Sequence, residues 1–156
     1  MIDITIPGFG RLALSELVCD FNGTLACDGR LLDEARVLLP EVARVVDIRV
    51  VTGDTFGSAA DELRACPCEL TTLPPDAQAQ AKAALVERIG IERVVAIGNG
   101  RNDRLMMNAA ALAIGVVGNE GIACEALASC DIATRHIGDA LALLLEPRRL
   151  VATLRD

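Results

Sequence analysis

Leu17-Val18-Cys19-Asp20-Phe21-Asn22-Gly23-Thr24-Leu25 decides how this chain is read. Leu17-Val18-Cys19 is apolar without alternation, as expected for a strand buried on both faces. The run stops on a carboxylate, Asp20, and breaks into a polar turn at Asn22-Gly23. A buried strand that ends on an acid is a strand that meets a functional loop.

Outward from this stretch, strands and helices alternate. Upstream, Ile2–Ile6 and Leu12–Leu14 flank Pro7-Gly8-Phe9-Gly10, which predicts an N-terminal hairpin over residues 1–15. Downstream, the Asp28-Gly29 turn signal predicts a small flap hairpin over residues 25–32. Further strands are expected at 47–51, 68–72, 93–97, 112–117 and 131–134. Helices are expected at 33–46, 58–64, 76–88, 103–110, 121–128 and 137–145, with Asp33 and Asp76 as caps and Gly90 as a stop. Residues 146–156 form a tail. This pattern predicts one α/β domain over 1–156, with a parallel sheet between two layers of helices in Rossmann-like order.

In such a sheet the working site lies at the carboxyl ends of the strands. Asp20 follows the first core strand, and Thr52-Gly53-Asp54 follows the second. Gly98-Asn99-Gly100-Arg101-Asn102-Asp103 follows a later one, and Lys82 lies in the helix before it. A carboxylate, a hydroxyl, a lysine and an acidic glycine-rich loop at one crevice suit a phosphoryl group and a divalent metal. Lys82 is the only lysine of the chain, so no other can fill its role.

Composition excludes other classes. Hydrophobic residues make up 52% and charged residues 24%, which argues against disorder. Fifteen basic against 22 acidic residues give a net charge of −7, and there is no Trp or Tyr. Such a chain is a poor partner for nucleic acid or an anionic membrane. No charge-free stretch reaches the roughly 18 residues that a membrane span needs, and the N-terminus lacks an export signal. The six cysteines are therefore read as reduced, and the protein as cytoplasmic.

Asp20-Phe21-Asn22-Gly23-Thr24-Leu25 resembles the first motif, Asp-x-Asp-x-Thr, of the haloacid dehalogenase-like (HAD) hydrolase superfamily. Thr52 resembles its second motif, Lys82 its third, and Gly98–Asp103 its fourth, usually Gly-Asp-Gly-x-Asn-Asp. All four occur in order at the expected strand ends. Within the superfamily the chain looks most like a stand-alone soluble relative of the P-type ATPase phosphorylation domain.

The resemblance implies a Mg²⁺-dependent phosphohydrolase or phosphotransferase acting on a phosphorylated small molecule or a phosphoprotein. Asp20 would be the nucleophile that becomes an aspartyl phosphate. Thr52 and Lys82 would hold phosphate oxygens, with Thr24 and the backbone of Gly23 and Gly53 around them. Mg²⁺ would be held by the Asp20 carboxylate, the main-chain carbonyl of Asn22 and Asn99, while Asp103 is placed either to bind metal through water or to orient Lys82. Two residues depart from the pattern. Asn22 stands where phosphatases carry an Asp that exchanges a proton with the leaving group and with water, so hydrolysis is expected to be slow. Asn99 stands where the usual metal ligand is Asp, so metal affinity is expected to fall. These departures motivate an alternative, a phosphate- or phosphoprotein-binding module with impaired turnover, or a partner that regulates a transporter.

Only 29 residues separate Thr52 from Lys82, and only the flap fits between Thr24 and Asp33. The chain is therefore expected to lack the cap domain of many superfamily members. The resemblance to capless relatives implies a homo-oligomer, dimer or tetramer. Cys66-Pro67-Cys68 is read as a turn, since two thiols without further ligands are a weak metal signal. His136 is given no role.

Overall fold

Six parallel strands supply the frame. The computed structural model describes all 156 residues, Met1–Asp156. The chain opens with the antiparallel hairpin β1 (Ile2–Ile6) and β2 (Gly10–Leu14), in register Ile2 opposite Leu14. Next come β3 (Glu16–Cys19), the flap strands β4 (Ala26–Cys27) and β5 (Arg30–Leu31), α1 (Asp33–Val42), β6 (Asp47–Thr52), α2 (Ala59–Glu62) and β7 (Glu69–Thr72). The second half runs α3 (Gln78–Ile89), β8 (Val94–Gly98), a 3₁₀ turn at Arg101–Asp103, α4 (Arg104–Ala109), β9 (Leu112–Val116), α5 (Cys124–Leu127), β10 (Ile132–Thr134), α6 (Ile137–Leu145) and α7 (Arg148–Leu154).

The central sheet is parallel throughout, in the order β10-β9-β8-β3-β6-β7. The chain leaves β3 toward β6 and β7, then returns to β3's other side at β8 and continues outward. β3 is thus the point where strand order reverses, and the crevice above its carboxyl end is where such sheets bind ligands.

Side-chain alternation sends each strand into two cores. Leu17, Cys19, Val50, Val95, Ile97 and Ile114 join α1, α2, α6 and the hairpin on one face. Val18, Val51, Ala96 and Ala113 join α3, α4 and α5 on the other. Every residue of β3, β8 and β9 is buried, which explains their unbroken apolar sequence. At the opposite end of the sheet the buried acid Glu16 binds Arg49 and Arg93.

The strands lie where the sequence places them, to within about a residue. The helix starts are corrected. Asp33 is the first residue of α1 rather than its cap, since Leu32 holds the cap position without a side-chain bond. α1 ends at Val42, not Val46. α3 begins at Gln78, behind Ala77 in a left-handed conformation (φ +58°), so Asp76 caps nothing. α2 and α5 are single turns, shorter than expected.

No cap domain follows either early motif. The flap is fixed from both sides instead: Asp28 N–H donates to Glu120 Oε1 at 3.0 Å, and Ser58 Oγ donates to the Gly29 carbonyl at 2.5 Å. Cys66-Pro67-Cys68 forms a tight turn before β7, closed by the Cys68 N–H on the Cys66 carbonyl at 2.9 Å. His136 is exposed ahead of α6. No helix is long and apolar enough to cross a membrane.

Candidate active site

Asp20 is the first residue beyond β3, and its N–H donates to the Ile97 carbonyl of the neighbouring β8 at 3.0 Å. That bond fixes the backbone from which the carboxylate projects. Lys82 lies in the second turn of α3, and α3 packs against the sheet so that this lysine is fully enclosed. Its Nζ donates to Asp20 Oδ1 at 2.5 Å and to Asp103 Oδ1 at 2.7 Å. Two carboxylates therefore share one ammonium, and none of the three groups is more than 6% exposed.

Asp103 is held harder still. Its second oxygen accepts the N–H groups of Asn99 (3.0 Å) and Gly100 (2.8 Å). With both oxygens engaged inside the protein and no exposure, Asp103 is bonded to Lys82 on one side and to the loop backbone on the other. Gly98 makes the arrangement possible: a Cβ there would lie 2.6 Å from the Asp103 carboxyl carbon. Gly98→Ala is expected to push Asp103 off Lys82 and to cost about 1–3 kcal/mol, as overpacking does. Thermal melting would show it; a variant that melts with the wild type would contradict this placement.

Electrostatics follow from the count of charges. Burial, and then the Asp103 carboxylate, push the Asp20 pKa up to about 7, against the pull of Lys82. Burial alone would lower the Lys82 pKa, but the two carboxylates outweigh it and the net shift is upward. Burial drives the adjacent Cys19 thiol well above its usual range, helped by Asp20 and Asp103, which keeps this sulfur protonated.

The remaining predicted residues converge on the same crevice, with changes of part. Thr52 is buried at the end of β6, where its Oγ1 accepts the Asp54 N–H at 2.9 Å and keeps its own proton to donate. Asp54 in turn accepts the N–H groups of Ser58 and Ala59 and so caps the start of α2. Thr24 is fully enclosed, with Oγ1 3.1 Å from Asn99 Oδ1 and 3.5 Å from Asp20 Oδ2. Its hydroxyl thus ties the first motif to the 98–103 loop. Gly23 also needs correction: its N–H is taken by the Ala26 carbonyl at 2.8 Å, so it has none to give a phosphate. Around the crevice, the N–H groups of Phe21, Asn22 and Gly53 are taken by no main-chain carbonyl, and that of Phe21 faces the Asp20 carboxylate. Gly23 is required for another reason, a left-handed φ of +79° and the Asn99 amide pressed against it.

The residues fit a cation. Asp20, Asp103 and Lys82 together carry one surplus negative charge in a buried space. Asn22 Oδ1 is a buried oxygen with no partner, which is costly unless something donates to it or coordinates it. Asn99 presents a second amide oxygen at 8% exposure; its Nδ2 is committed to the Gly121 carbonyl at 2.9 Å.

Sequence reasoning missed Gln78 and Asn102. Asn102 Nδ2 donates to Gln78 Oε1 at 2.9 Å, and Gln78 packs directly on Gly53. One signal was available, since Gln78 and Lys82 are four residues apart on one helix and so share a face.

No protein-family model matches the chain. Over 80 residues it is 44% identical to the uncharacterized protein MJ0073 of Methanocaldococcus jannaschii, spanning 49% of this chain and 86% of that protein. Among solved structures, the 3-deoxy-D-manno-octulosonate 8-phosphate phosphatase of Moraxella catarrhalis superposes with a TM-score of 0.72 at 14% identity, covering 90% of each chain. The cobalt-bound phosphatase YrbI of Haemophilus influenzae gives 0.71 at 11%, over 90% of this chain and 92% of that one. The chain belongs to one family with the archaeal protein, and its fold is that of the haloacid dehalogenase-like superfamily. The Moraxella protein was solved with magnesium, phosphate and KDO. A capless HAD-like fold accounts for the crevice at β3, the flap after the first motif, and the absence of any further layer above the strand ends.

Proposed function

We propose that this HAD-like protein is a Mg²⁺-dependent phosphohydrolase or phosphotransferase that works through Asp20 on a phosphorylated small molecule. The observation that carries the reading is the shared Lys82: a carboxylate at the strand-order reversal, aligned by the only lysine, which Asp103 holds in turn. The magnesium and phosphate of the Moraxella phosphatase, which has the same fold, support it.

In this mechanism one Asp20 oxygen attacks phosphorus. The phosphorus–oxygen bond to the leaving group breaks, and its electron pair departs on that oxygen, which takes a proton from water. Attack by water on phosphorus then returns the Asp20 carboxylate and releases phosphate; attack by another hydroxyl gives transfer instead. Lys82, the Thr52 hydroxyl and the Phe21, Asn22 and Gly53 N–H groups bind the phosphate oxygens, and such positioning and charge neutralisation supply most of phosphoryl-transfer catalysis. The Asp20 carboxylate, the main-chain carbonyl of Asn22 and Asn99 would hold Mg²⁺, which when bound would offset charge on the phosphate. Hydrolysis of p-nitrophenyl phosphate with and without Mg²⁺ tests the reading. Turnover that survives Asp20→Ala sinks it.

Asn22 favours a slow enzyme, since an amide exchanges no proton with the leaving group or with water. Asn22→Asp is expected to raise turnover on alkyl phosphates by about 10²–10⁴-fold, the usual worth of general acid–base help. Steady-state rates on alkyl and aryl esters measure this. The competing reading, a phosphate-binding module, rests on the same amide. It predicts binding of inorganic phosphate with no turnover of either ester by the native chain.

A further inference from the structure

One groove beside the crevice runs against the charge of the chain. It measures about 510 Å³, lies between the start of α3 and the 3₁₀ turn before α4, and is lined by Ala77, Gln78, Arg101, Asn102 and Arg104 among others. No acidic side chain lines it, although the protein carries a net charge of −7. Arg101 Nε is paired at the rim with Glu125 at 2.9 Å. Arg104 is half-buried and pairs with no carboxylate; its Nη1 donates only to the Arg101 carbonyl at 2.8 Å. Arginine left without an anion in an acidic protein is a standing recognition element for carboxylate or phosphate.

The groove also meets donors from the backbone. Ala77 offers no side-chain cap, so the N–H groups of Gln78, Ala79 and Gln80 find no acceptor in the protein. The partition between groove and crevice is the Gln78–Asn102 pair, since Gln78 touches Gly53 on the crevice side. Lys82 is one turn further along α3, about 6 Å along its axis. Groove and crevice thus adjoin along neighbouring turns of one helix.

We infer that this groove binds a second anionic group of the substrate, and that Arg104, helped by Arg101, selects phosphomonoesters bearing a carboxylate or a second phosphate near the ester. The inference rests on the phosphoryl-transfer reading and names its substrate class. It explains how a capless protein can be selective: the recognition that a cap would supply comes from the α3–α4 side of the crevice itself.

Two matched pairs test it: glycerol 3-phosphate against 3-phosphoglycerate, which adds a carboxylate, and fructose 6-phosphate against fructose 1,6-bisphosphate, which adds a phosphate. The wild type is expected to favour the more anionic member of at least one pair by about tenfold or more in kcat/KM, the worth of a charge-assisted hydrogen bond. Which pair responds tells carboxylate from phosphate. In Arg104→Gln the ratio is expected to fall toward one, mainly through KM, while thermal melting shows the fold kept. Equal kcat/KM within both pairs, or a preference that survives Arg104→Gln combined with Arg101→Gln, overturns the inference. Calorimetric binding of the same four compounds to Asp20→Asn separates it from the parent reading. If no ester is turned over, the phosphoryl-transfer reading fails. The groove stands if binding still discriminates by about tenfold, and falls if it does not.

Discussion

Lys82→Met is expected to unfold much of the protein at neutral pH. The substitution leaves Asp20 and Asp103 facing each other with no cation, in a space where Asp103 is fully enclosed and Asp20 is 6% exposed. Removing one partner of a buried ion pair costs about 3–5 kcal/mol, because the remaining charge stays desolvated. Domains of ordinary size hold only about 5–15 kcal/mol in all. Urea denaturation followed by far-UV circular dichroism measures the loss. Adding Asp103→Asn should recover part of it, since one of the two stranded charges goes. A Lys82→Met protein as stable as the wild type would mean that the two carboxylates do not share this lysine.

Asp20→Asn should act in the opposite direction on stability while abolishing turnover. An unfolded aspartate titrates at about 3.8, whereas burial and Asp103 push folded Asp20 up to about 7. Between these values the folded chain binds the Asp20 proton more tightly than the unfolded chain does. Stability therefore falls as pH rises from about 4 to about 7, and above that the whole cost is present. Asparagine has the shape of the protonated acid and carries no such cost. In metal-free buffer the variant is expected to match the wild type near pH 4 and to exceed it at pH 8, the gap opening as pH rises between these values. Equal stability at pH 8 would contradict the electrostatic account of the crevice. A nucleophile whose removal stabilises the fold is a group kept for chemistry, at the expense of stability.

Much of the fold is legible in the sequence because the strands are buried on both faces. Leu17–Cys19 and Val94–Ile97 have no solvent side, so their apolar runs admit no other reading, and the polar residues after each run have to form loop at the carboxyl edge. Asp20, Thr52 and the 98–103 loop are located by that logic alone, without any family resemblance. Helix starts are harder to read. An acid ahead of a helix is a common cap, but Asp33 falls inside α1, and the left-handed turn at Ala77 pushes the start of α3 past Asp76. In the site, residue type places the side chains but does not say which are spent. That Gly23 has already given its N–H to Ala26, and that both Asp103 oxygens accept bonds inside the protein, depends on contacts formed only in the folded turn. Gln78 and Asn102 escape notice because neutral amides carry no charge pattern, and their contact spans 24 residues.

The most direct measurement is the mass of the intact protein after brief exposure to acetyl phosphate and Mg²⁺, quenched in acid and mapped by peptide. Slow hydrolysis, caused by Asn22, should let the intermediate accumulate. The account predicts a gain of one phosphoryl group, carried by Asp20, and no gain in Asp20→Asn. A phosphoryl group on any other residue, or turnover by Asp20→Asn, would contradict it.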